Sequence, residues 1–136
     1  MTLLVTWTHA SSVGVRAMDN EHAIMMDVMN ELRMALVHGA ERGQAKELLG
    51  KLIEITGIHF WNEEQLMERY GFPGLGEHRT EHQRLLEHLK EFAHRRKHGE
   101  VVHMSGFLCF LHNWFIDHVE GLDKQYGPWL NKHGVY

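Results

Sequence analysis

Four stretches of this chain repeat their apolar residues at three- and four-residue steps, and clusters of glycine and proline fall between them. That combination of helical period and punctuation constrains the fold more than any other feature. The breaks lie at Gly39 to Gly43, Gly71-Phe72-Pro73-Gly74, Gly99 and Gly127-Pro128. The spacing predicts a first helix over about 19–38, with Asp19 or Asn20 near its N-cap and His22, Met25, Met26, Met29, Leu32 and Leu36 on one face. A second covers about 44–70, its stripe reading Leu48, Leu52, Ile55, His59, Glu63, Leu66, Met67 and Tyr70. The third, about 75–97, carries His78, His82, Leu85, Leu86, Leu89 and Phe92. The fourth, about 101–126, carries Met104, Phe107, Leu108, Leu111, Trp114, Phe115, His118 and Leu122.

Helices of this length joined by short loops pack antiparallel to their neighbours, so the expected architecture is all-α, an up-down-up-down four-helix bundle. Residues 1–17 show no helical period and read as an extended N-terminal arm, with Trp7, Val13 and Val15 as its anchors. The bundle then spans about 18–127, and a short C-terminal tail after Pro128 packs through Trp129. At 136 residues the whole is expected to be one domain around one core.

Composition removes several function classes. Lys plus Arg number 14 against 18 Asp plus Glu, which lacks the basic surplus that binding nucleic acid requires. The longest apolar run, Phe107 to Leu111, is far short of the ~18 residues needed to cross a bilayer, so no membrane association is expected. The first charge is Arg16 and Leu3-Leu4-Val5 is too short for the apolar core of a signal peptide, which points to a cytoplasmic protein. The single cysteine, Cys109, makes no internal disulfide and reads as a small buried apolar residue between Leu108 and Phe110.

The departure from an ordinary bundle is the polarity of the inner stripes. A histidine or carboxylate on an apolar face must find a partner, because burying it unpaired costs several kcal/mol. One such residue is usually a satisfied core histidine, but here every helix has an interruption: His22, His59 with Glu63, His78 with His82, and His118. Residues four apart lie about 40° apart around a helix, so His59/Glu63 and His78/His82 each project to one side as chelating pairs. Asp123 follows His118 by five residues, about 140° away on an ideal helix. It joins the others only if the helix widens locally, as in a π-bulge, which Gly121 would ease.

Five imidazoles and two carboxylates exceed what one zinc takes, so two metal ions are implied. Imidazole with carboxylate suits iron, and manganese or zinc less well; without thiolates, copper(I) and iron–sulfur clusters are disfavoured. The remaining histidines, His9, His38, His88, His94, His98, His103, His112 and His133, share no inner face. Glu91/His94 and Glu100/His103 fit the Glu-x-x-His pattern of ferritin-like di-iron bundles, but Glu91 falls roughly half a turn from the His78/His82 face.

Taken together, these motifs resemble the bacterial hemerythrins, non-haem di-iron oxygen-binding proteins, over nearly the whole chain. The residues that carry the likeness are Trp7, Asp19 to His22, His59 to Met67, His78 to His82, and Trp114 to Lys124. The resemblance implies that His78, His82 and His118 hold one iron and His22 and His59 the other. It also implies that Glu63 and Asp123 bridge both, together with an oxo or hydroxo group. One coordination position then stays open on the iron with two histidines, where the family binds dioxygen. Trp114 and Phe115 are the candidates for lining that pocket. The expected function is reversible dioxygen binding for storage, delivery or sensing, with small anions and nitric oxide as further ligands of the same position. The alternative is a di-iron oxidoreductase with peroxidase-like or NO-reducing activity.

Overall fold

A computed structural model describes residues 3–38, 42–98 and 104–136, so residues 39–41 and 99–103, and with them the expected start of the fourth helix, lie outside the described residues. Helix α1 covers Arg16–Val37, α2 Arg42–Arg69, α3 Leu75–Lys97 and α4 Met104–Asp117. A five-residue π-helical segment, His118–Leu122, carries α4 without a break into α5, Asp123–Lys132. No strand occurs among the described residues. The architecture is the all-α four-helix bundle that the stripes predict.

The boundaries show which local forces prevailed. Helix α1 starts three residues earlier than Asp19, and its N-cap, Val15, donates no side-chain cap. Asp19 instead sits in the first turn, where its carboxylate accepts the Val13 backbone N–H at 2.8 Å and the Ser12 hydroxyl at 2.6 Å. It therefore ties the arm to the positive end of the helix. The end of α2 follows the glycine rule: Gly71 adopts φ +65°, and the backbone N–H of Phe72 donates to the Met67 carbonyl while that of Gly71 donates to Glu68.

Pro128 does not end the fourth helix, contrary to the expectation of a separate tail. The helix runs through it to Lys132 because Leu130 is fully buried and the Trp129 indole N–H donates to the Tyr70 carbonyl at 2.8 Å. Packing outweighs the one backbone hydrogen bond that proline forgoes.

The inner stripes hold with a few exceptions. On α2 the fully buried positions include Thr56 and Phe60, whereas Leu48, Ile55 and Leu66, and Tyr70 just past its end, are only partly covered. Met104 and Cys109 lie on the exposed side of α4, so neither is a core residue. In the arm, Val13 and Val15 are buried as expected and Val5 joins them, but Trp7 remains 43% exposed. Val5 is held by two hydrogen bonds with the Asn30 side chain, both 2.9 Å.

The arm crosses α5 at Gly127, where the backbone carbonyl of Val13 occupies the space a Cβ would need. Gly127→Ala is expected to push the arm off the bundle and lower stability by about 1–3 kcal/mol, read by thermal or denaturant unfolding. An unchanged midpoint would show that the arm contributes nothing to the fold.

Candidate metal centre

The inward faces bring seven ionisable side chains together: His22 from α1, His59 and Glu63 from α2, His78 and His82 from α3, His118 from the start of the π-helical segment and Asp123 from the start of α5. All are between 0% and 5% exposed. The π-helical segment supplies the missing rotation. The Asp123 backbone N–H donates to the His118 carbonyl five residues back, which widens the turn and swings the carboxylate onto the His118 side. His118 Nε2 then lies 3.0 Å from Asp123 Oδ1. Gly121 is not required for this geometry, since a Cβ there would meet nothing within 4 Å.

The donor atoms fall into two groups that overlap. Glu63, His78, His82, His118 and Asp123 each offer an atom within 4.8 Å of all the others, and His22, His59 and Glu63 do the same. Glu63 belongs to both. Asp123 also spans them, its Oδ1 2.7 Å from His78 Nε2 and its Oδ2 3.2 Å from His22 Nε2. His82 Nε2 and His118 Nε2 face each other at 3.2 Å.

Yet His22 Nε2, His59 Nε2, Glu63 Oε1 and Asp123 Oδ2 are buried without a hydrogen bond. Native interiors rarely leave such atoms unmatched. Convergent imidazole nitrogens and carboxylate oxygens, shielded from water and close to one another but without hydrogen bonds of their own, fit a pair of divalent cations.

The electrostatics of the bare cluster are those of a set of charges that compensate one another. Burial alone would lower the His59 pKa, but the Glu63 charge and the hydrogen bond to Glu21 outweigh it and push the ring up to about 10. Burial opposes protonation of His22 as well, and Asp123 and Glu63 again overcome it, so its pKa is raised. Burial would raise the Glu63 carboxyl, but His59, His22 and His82 hold it well below the usual carboxylate range. Asp123 is likewise lowered: burial and the Glu63 charge work against ionisation, and His118 and His22 prevail. Tyr126 is pushed well above its ordinary value by burial and by the Glu63 and Asp123 charges, so its hydroxyl keeps its proton.

Three residues that support the cluster were not singled out by spacing. Glu21 Oε1 accepts from His59 Nδ1 at 2.6 Å while Asn62 donates to Oε2 at 3.1 Å. Glu64 Oε2 accepts from His82 Nδ1 at 2.9 Å and its other oxygen accepts from Arg79 at 3.1 Å. A carboxylate on the outer nitrogen fixes the tautomer and turns the inner nitrogen toward the centre. Tyr126 donates to Glu63 Oε2 at 2.8 Å. Their sequence signal was adjacency alone, Glu21 before His22 and Glu64 after Glu63; Tyr126 required knowing that the fourth helix stays in register past the widened turn.

The two aromatic candidates go to different places. Phe115 stands edge-on to His22, ring centroids 6.2 Å apart. Trp114 stacks on His118 at 4.4 Å and 15°. Phe60 covers His82 in the same manner, at 3.7 Å and 3°. Glu91 of the ferritin-like pattern is on the surface, paired with Arg95 at 2.9 Å, and Glu100/His103 lie outside the described residues.

Fold and site thus define a class: a four-helix bundle with a buried, paired cation centre of histidine and carboxylate. Comparison with known proteins gives the family. The model of the hemerythrin HHE cation binding domain matches residues 13–130, so the chain belongs to the hemerythrin family. It is similar to the bacteriohemerythrin of Methylococcus capsulatus (strain ATCC 33009 / NCIMB 11132 / Bath), 29% identical over 94% of this chain and 98% of that one. It is also similar to hemerythrin subunit 1 of Golfingia vulgaris, 28% identical over 88% of each. A crystal structure of wild-type hemerythrin superposes with a TM-score of 0.87 at 29% identity, covering 93% of this chain and 98% of that one.

Tyr126→Phe removes the hydrogen bond to a buried, ionised Glu63. The expected result is a loss of about 1–3 kcal/mol in stability, measured by denaturant unfolding. No loss would mean that Glu63 does not depend on the phenol.

Proposed function

We propose that this chain binds dioxygen reversibly at a di-iron centre held by His22, His59, Glu63, His78, His82, His118 and Asp123. The observation that carries the reading is the overlap of the two donor groups through Glu63 and Asp123, which is what two cations sharing carboxylates require. His78, His82 and His118 would hold one iron and His22 and His59 the other, with Glu63 and Asp123 shared between them. The second set has one imidazole fewer, so the position open to a small ligand belongs on the His22/His59 side. When bound, the paired irons supply the electrons that make dioxygen binding reversible.

The chain's own residues set the conditions. Glu21 and Glu64 keep His59 and His82 turned inward. Phe115, buried against His22, keeps water from that half, and a dry site favours release of dioxygen over irreversible oxidation. Trp114, stacked on His118, screens the other half. The same open position would accept small anions and nitric oxide.

We take residues 1–136 as one unit. No helix among the described residues is long and apolar enough to cross a membrane.

The direct test of function is oxygen titration of the anaerobically reduced, iron-loaded protein. A visible absorption band that appears with oxygen and disappears on deoxygenation is expected; irreversible bleaching or no adduct would refute the reading. A second outcome follows from the cluster's protonation. Without iron, His59 keeps its proton up to about pH 10 and His22 is shifted the same way, so iron must displace protons. Apparent ferrous affinity should rise between roughly pH 6 and 8, by about tenfold per unit for each proton displaced. An affinity independent of pH, measured by competition with a metal indicator, would contradict this.

A further inference from the structure

We infer that the Thr56 hydroxyl is a hydrogen-bonding group for the small ligand held beside His22 and His59. The inference deepens the dioxygen-binding reading and rests on it. Thr56 belongs to the inner stripe of α2, between Leu52 and His59, and is 0% exposed. Its Oγ1 has no hydrogen-bond partner. A helical threonine ordinarily reaches the carbonyl four residues back, and Thr80 does so, donating to Gly76 at 3.1 Å. Thr56 does not. A valine of the same shape would bury that space without an unmatched hydroxyl, so the group points to a partner that the protein itself does not provide.

Its surroundings say where that partner sits. Glu21 reaches His59 and Asn62 across the α1–α2 contact and so fixes the antiparallel register. One turn back from His59 along α2 therefore lies level with one turn forward from His22 on α1, at Met25 and Met26. Helix α3 presents Leu85 at this level. Helix α4 runs parallel to α2 and presents Phe115, which packs against His22. These neighbours are buried and apolar, so Thr56 supplies a polar atom to the layer beside the two-histidine half. The hydroxyl carries one proton to donate and two lone pairs. It can donate to the far atom of a diatomic or triatomic ligand held at that half without any bond being made or broken.

The experiment uses azide as the probe on oxidised, iron-loaded protein, with Thr56→Val and Thr56→Ser beside the unaltered chain. Thr56→Val is expected to weaken azide binding by about three- to tenfold, mainly through faster dissociation, and Thr56→Ser to restore it. The metal-free proteins give an independent readout. Because the hydroxyl is unmatched there, Thr56→Val should melt at the same temperature as the unaltered chain or higher. Azide dissociation unchanged in Thr56→Val, or a lower melting temperature of its metal-free form, would overturn the inference while leaving the oxygen-binding reading intact. If the unaltered loaded protein does not bind azide at all, the reading falls and this inference with it.

Discussion

Seven ionisable side chains share an interior that excludes water, and that burial is the constraint on which everything else in this molecule turns. Left unmatched, so many polar groups would cost more than a domain's entire stability. Without a cation the cluster survives by proton sharing, with His22 and His59 charged against Glu63 and Asp123. That arrangement is a compromise, because several inner nitrogens and oxygens still lack a hydrogen bond. Iron would replace the shared protons and satisfy those atoms together, which couples metal binding to the integrity of the fold.

Around this centre the bundle divides its tasks. On one side two of the three rings are braced by aromatic faces, Phe60 on His82 and Trp114 on His118, and His82 is oriented by the Glu64–Arg79 pair. On the other, His22 stands edge-on to Phe115 and His59 lies against Phe60. The first surroundings suit permanent retention of a cation. The second set offers one imidazole fewer, which is why the proposed small-ligand position is assigned to it.

Much of this was legible in the sequence because each signal was local. Chelating pairs four residues apart, such as His78 and His82, announce themselves on a helical face, and so does the polar interruption of an apolar stripe. The Asp123 position depended on a widened turn, which the five-residue spacing from His118 made a condition of its joining the site and which the π-helical segment meets. What stayed hidden depends on contacts between helices. Glu21 serves His59 from a different helix, and Thr56 looks unremarkable until its burial and lack of partner are seen. Trp7 and Cys109 resemble core residues by type, and only the packing shows them exposed. Pro128 reads as a stop, yet the contacts of Trp129 and Leu130 carry the helix past it.

Iron stoichiometry tests the central claim most directly. Metal-free protein titrated anaerobically with ferrous iron, followed by removal of free metal and elemental analysis, should retain two irons per chain. Retention of one iron, or of none, would contradict a centre built from two donor groups that share their carboxylates.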